Sequence, residues 1–113
     1  MNAQPWPTEL RLDPTKTALT VSFDTGERFA LTAEYLRVES PSAEVQGHSP
    51  DQKQIVMGKE KVKIAAIEPV GNYAIRIVFD DGHDTGFYSW DYLYELGRDQ
   101  KGKWAAYLKA RRS

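Results

Sequence analysis

The 113-residue chain contains no cysteine. That absence excludes disulfides, thiolate-held zinc, iron–sulfur clusters and a cysteine nucleophile. Histidine is nearly as scarce, with only His48 and His83. No glycine-rich phosphate loop is present, because Gly82, Gly86 and Gly97 have the wrong spacing for either nucleotide fingerprint. No serine stands in a nucleophile-elbow pattern. No apolar run approaches the roughly 20 residues of a membrane span. Residues 1–7 (Met-Asn-Ala-Gln-Pro-Trp-Pro) form an N-terminal tail lacking the basic and apolar regions of a signal peptide. A soluble cytoplasmic domain is the expectation.

What is present suits one domain at about 100–200 residues per domain. Hydrophobic residues make up 41% of the chain and aromatics 12%, enough for one core and against global disorder. The net charge of −1 hides a polar layout. Residues 65–97 carry one basic and six acidic groups, whereas residues 98–113 carry six basic groups against Asp99. Such a tail can meet an acidic partner or nucleic acid. It lacks the compact basic face with interleaved aromatics of a nucleic-acid binder, so it reads as a basic C-terminal helix and tail over 98–113.

Local patterning gives an α+β domain of antiparallel β-meanders, about six short strands with two or three short helices. Leu10 and Leu12 alternate with polar residues, as do Leu19, Val21 and Phe23, and a third run follows at 28–31. Thr32 caps a short helix through Arg37. Residues 39–60 sustain no period. In the second half, Val62, Ile64 and Ala66 alternate, and Tyr73, Ile75, Ile77 and Phe79 share an apolar face. Asp81-Gly82 predicts a hairpin whose returning strand is 85–88. Ser89 caps a helix ended by Gly97, and a last helix spans about 100–110 with Trp104, Tyr107 and Leu108 on one stripe.

Three constellations could carry chemistry. His48 lies near Glu44, and His83 lies among Asp80, Asp81 and Asp84. Imidazole with carboxylates can hold iron or zinc, although the spacing matches no standard ligand motif. Phe87, Tyr88, Trp90, Tyr92 and Tyr94 crowd into eight residues. Tyr88, Trp90 and Tyr92, with Arg37, are candidate partner-binding residues if that block is partly exposed. Arg76, His83 and Asp84 are the first places to look for a small enzyme's pocket. No catalytic apparatus is visible, so no catalytic residue is assigned and a non-enzyme is expected.

The segment from Leu36-Arg37 to Gly47-His48, together with that from Ile67 through Asp81-Gly82-His83 to Tyr88-Ser89-Trp90, resembles the gamma-butyrobetaine hydroxylase-like N-terminal domain family over roughly residues 8–97. In the hydroxylases this domain precedes an iron/2-oxoglutarate catalytic domain, for which 113 residues leave no room. The resemblance also implies a zinc site of three cysteines and one histidine. Those positions fall on Ser40, Ser42, Val45 and His83, so one ligand of four is retained and that zinc site should be missing. It further implies that the 40–45 turn lies beside His83, where His48 could approach. Related domains accompany P-loop ATPases that carry iron–sulfur clusters. The expected function is therefore a non-enzymatic adaptor that binds a protein partner in iron–sulfur cluster assembly or iron handling. A metal-binding domain using His48 and His83 on iron or zinc is the alternative, and a small enzyme the third reading.

Overall fold

The computed structural model describes residues 5–42 and 58–112, with Arg111 and Arg112 described as backbone only. Strands β1 (Pro7–Leu12), β2 (Ala18–Phe23) and β3 (Arg28–Thr32) form one antiparallel sheet in that order. Helix α1 (Ala33–Val38) follows at once. Strands β4 (Ile64–Val70), β5 (Ala74–Phe79) and β6 (Phe87–Ser89) form a second antiparallel sheet, again in sequence order. Helices α2 (Trp90–Arg98) and α3 (Gln100–Arg112) complete the described chain. Both expected meanders are present, and so is the C-terminal helix.

Local chemistry explains most boundaries. The β2–β3 turn closes through Phe23 N–H to Glu27 O, with Gly26 at φ 93° where a side chain would be strained. Thr32 Oγ1 accepts the Tyr35 N–H and Ser89 Oγ accepts the Tyr92 N–H, so both expected N-caps satisfy an otherwise orphaned donor. The core fills from both sheets: Leu19, Val21 and Phe23 of β2, Leu31 of β3, Ile64 of β4, and Ile75, Ile77 and Phe79 of β5 are all buried. Tyr35 and Leu36 of α1 and Leu93 and Leu96 of α2 seal it. Each such side chain contributes about 1.5–3 kcal/mol by leaving water.

Four expectations change. Leu10 is 36% exposed, because β1 is an edge strand whose residues 8–11 are all solvent-facing. Tyr73 leaves the apolar face of β5 and is exposed; its ring folds back over Gly71, where an added Cβ would lie 2.8 Å from Tyr73 Cε1. Gly97 does not end α2. The helix runs to Arg98 with Asp99 as its cap, and Gly97 is buried against the Phe29 ring, which would lie 2.3 Å from an added Cβ. Asp81-Gly82 does form a tight turn, with Gly82 N–H to Phe79 O and Phe79 N–H to His83 O. Yet β6 begins only at Phe87, paired with Arg76, so residues 80–86 make a longer excursion. That excursion carries His83 toward Ser40.

Helix α3 docks along the stripe expected for it. Tyr107 is buried and donates to Glu34 Oε2 at 2.7 Å, while the Trp104 ring stands edge-on to Tyr35. Among the described residues no helix is long and apolar enough to cross a membrane.

Candidate functional site

The site begins with what holds the end of α1. A six-residue helix leaves its last carbonyls without helical partners. Tyr88 donates its hydroxyl to Leu36 O at 2.6 Å, and Tyr92 donates to Glu39 O. Tyr35 donates to Leu96 O at 2.7 Å, tying α1 to α2 in the other direction. Burial pushes all three phenols well above their ordinary range, so they remain protonated donors. These bonds fix the chain as it leaves α1 at Glu39, Ser40 and Ser42, all buried.

Against that corner lies His83, only 6% exposed. Its Nε2 is 2.8 Å from Ser40 Oγ and 3.4 Å from Ser42 Oγ. Ser40 Oγ also receives the Ser42 N–H at 3.4 Å. Gly86 closes the cluster from the far side. A Cβ there would lie 2.5 Å from Ser40 Oγ and 3.3 Å from Pro41 Cδ, so only glycine leaves room for the hydroxyl. The result is a buried hydrogen-bonded clasp between the α1 exit and the β5–β6 excursion.

An ionic layer flanks the clasp. Asp81 accepts from Arg37 Nε at 2.9 Å and pairs with Lys59 Nζ at 2.7 Å, and its other oxygen accepts the His83 N–H at 3.1 Å. Burial works against ionisation of Asp81, but Lys59, the His83 N–H and Arg37 outweigh it and hold its pKa at about 2. Arg37 Nη1 is buried with no hydrogen-bond partner. Lys59 and Gly86 were not singled out by the sequence. For Gly86 the signal was available, since a strand glycine can mark close approach of another segment.

The expected site residues therefore fare differently. Ser40, Ser42 and His83 come together, as the resemblance implies. Val45, Glu44 and His48 lie outside the described residues. Tyr88 is corrected: it is fully buried, its hydroxyl spent on Leu36 O, with no surface to offer a partner. Tyr92 is half-buried and its hydroxyl is likewise engaged, and Arg37 turns to Asp81. Trp90 is half-buried, donates Nε1–H to Asn72 O at 2.9 Å and meets the Trp6 ring edge-on at 6.2 Å. The exposed aromatics are instead Trp6, Tyr73 and Phe87, at 49%, 58% and 55%. Trp90 N–H also bonds Tyr73 O, so Trp6, Trp90 and Tyr73 occupy one end of the molecule. Arg76 is taken up by Glu68 at 2.7 Å and Asp84 at 3.1 Å, while the His83 ring faces the serines.

The clasp does not fit zinc. Its described donors are one imidazole and two serine hydroxyls, where a closed structural site needs four thiolate or imidazole ligands. Among the described residues no group of three or more His, Asp or Glu side chains converges to hold an ion.

A family model described as "Gamma-butyrobetaine hydroxylase-like, N-terminal" matches residues 10–94. Two solution NMR structures resemble the fold. One is 50% identical with a TM-score of 0.81, over 99% of this chain and 86% of its own. The other is 42% identical with a TM-score of 0.83, over 98% and 87%. A crystal structure of a protein of unknown function in the DUF971 family from Acidithiobacillus ferrooxidans ATCC 23270 is 38% identical with a TM-score of 0.70, over 84% and 98%. No curated protein matches the chain. The family match covers the N-terminal domain type and not a hydroxylase catalytic domain. On these grounds the chain belongs to the gamma-butyrobetaine hydroxylase-like N-terminal domain family.

Proposed function

We propose that the domain is a non-enzymatic protein-binding module. The observation that supports this is exposed aromatic surface: Trp6 stands edge-on to the half-buried Trp90 at the aromatic end, and Trp6, Tyr73 and Phe87 are each about half exposed. Large aromatics left in water are costly, and anchors of this type dominate binding energy where partners exclude water. The partner class that the family resemblance implies, a P-loop ATPase carrying an iron–sulfur cluster, is the first to test. An adaptor role in cluster assembly or iron handling in the cytoplasm follows from that choice.

The test compares pull-downs from the native host using the wild-type chain and a Trp6→Ala/Tyr73→Ser/Phe87→Ser variant. A partner retained by the wild type and lost by a variant with unchanged circular dichroism supports the reading. Identical partner sets, or none, end it.

A further inference from the structure

A second surface lies at the other end of α2. Trp90 opens that helix, and Arg98 closes it about 12 Å away at 1.5 Å per residue. Beyond Arg98 is an open groove of about 480 Å³, lined by Thr32, Gly97, Arg98, Gln100, Lys101 and Trp104. Its floor is built rather than incidental. Gly97 is held flat by the Phe29 ring, Gln100 Nε2 donates to Ala30 O, and Trp104 is braced by Tyr35 and Tyr107.

The charge of this groove is one-sided. Two cations line it and no carboxylate does. Lys101 is exposed and makes no ion pair among the described residues. Arg98 pairs with its neighbour Asp99 at 3.1 Å, but the side chains are 59% and 44% exposed, and a water-facing pair of this kind exchanges readily for another carboxylate. Arg98 also stands 6.0 Å from the Tyr94 ring centroid.

We propose that this groove docks an acidic segment of a partner protein. The partner's carboxylates meet Arg98 and Lys101, and an adjacent apolar side chain rests on Trp104. An acidic peptide suits the groove better than a nucleic acid. Nucleic-acid affinity is built from a track of many phosphate contacts. Here the cations number two, Arg98 and Lys101, and the neighbouring groove that shares Thr32 and Trp104 carries Glu34 and Glu60, so the positive surface is short enough for one acidic segment and offers no track. The aromatic end used in the proposed function is not part of this surface, so the two readings fail separately.

A synthetic peptide of alternating Glu and Asp around one central Phe is the probe, titrated into the isotope-labelled full chain. Shifts confined to the amides of Gly97, Gln100 and Lys101 and the indole N–H of Trp104 are expected. Arg98→Glu combined with Lys101→Glu should weaken binding about tenfold, as should raised salt. The neutral Lys101→Gln serves if the reversal perturbs folding, and its expected loss is about threefold. Arg11→Glu, on exposed β1, and the Trp6→Ala/Tyr73→Ser/Phe87→Ser variant should bind unchanged. No shifts, shifts reproduced by inorganic phosphate alone, or binding of a single-stranded oligonucleotide in place of the peptide each overturn the proposal.

Discussion

Asp81 shows how much of this domain turns on single side chains. Its carboxylate joins Arg37, Lys59 and the His83 N–H, and its pKa falls from the ordinary 3.8 to about 2. A lowered folded pKa means stability that is complete above the ordinary value and is lost as pH drops toward the folded one. Denaturant midpoints of the wild type should therefore fall between about pH 4 and 2, whereas Asp81→Asn should be flatter across that window. An equal slope in both proteins would place the acid sensitivity elsewhere. The neighbouring clasp gives a second expectation. Ser40→Ala removes the 2.8 Å contact to His83 and should cost about 1 kcal/mol in chemical denaturation. Because the described donors do not suit zinc, neither added zinc nor a chelator should move the melting temperature of the wild type by more than about 1 °C, against the several degrees expected when a metal binds the native state alone. A clear rise with zinc would restore the metal-binding alternative.

At the scale of elements, Gly97 is the sharpest case. A glycine in a helix interior ordinarily costs about 0.5–1 kcal/mol relative to alanine, so Gly97→Ala in isolation should stabilise α2. Here the new methyl would meet the Phe29 ring at 2.3 Å, and overpacking reverses the sign. A loss of about 1–3 kcal/mol in unfolding free energy is expected. What was legible in the sequence divides along the same line. Strands β2 and β5 and both N-caps were readable because period-2 alternation and a capping hydroxyl act within a few residues. The purpose of Gly97 was not, because Phe29 stands 68 residues away in the chain. Nor was the burial of Tyr88. An aromatic run fits either face of a strand, and only the register placing Tyr88 opposite Ile75 turns it inward and Phe87 outward. The clasp was half legible: the resemblance brought Ser40, Ser42 and His83 to one place, while Lys59 and the Gly86 gap emerge only in three dimensions.

At the scale of the whole molecule, the two ends of α2 carry unlike surfaces, aromatic at Trp90 and cationic at Arg98. A partner touching both would read the domain's orientation as well as its presence. The layout of the sheets bears on another property. Each sheet is a meander drawn from one uninterrupted stretch, 7–32 for the first and 64–89 for the second, and no strand of one is inserted between strands of the other. The halves are joined through the shared core and by side-chain ties that include the Tyr35, Tyr88, Tyr92, Tyr94 and Tyr107 hydroxyls, the Ser40–His83 clasp and the Arg37–Asp81 pair. Hairpins can thus form early from near neighbours, with the tyrosine ties closing late. The architecture is accordingly one that tolerates being cut. Fragments 1–50 and 51–113, produced as separate chains, should reassemble into the native fold when mixed, and the amide spectrum of the mixture should overlay that of the intact chain.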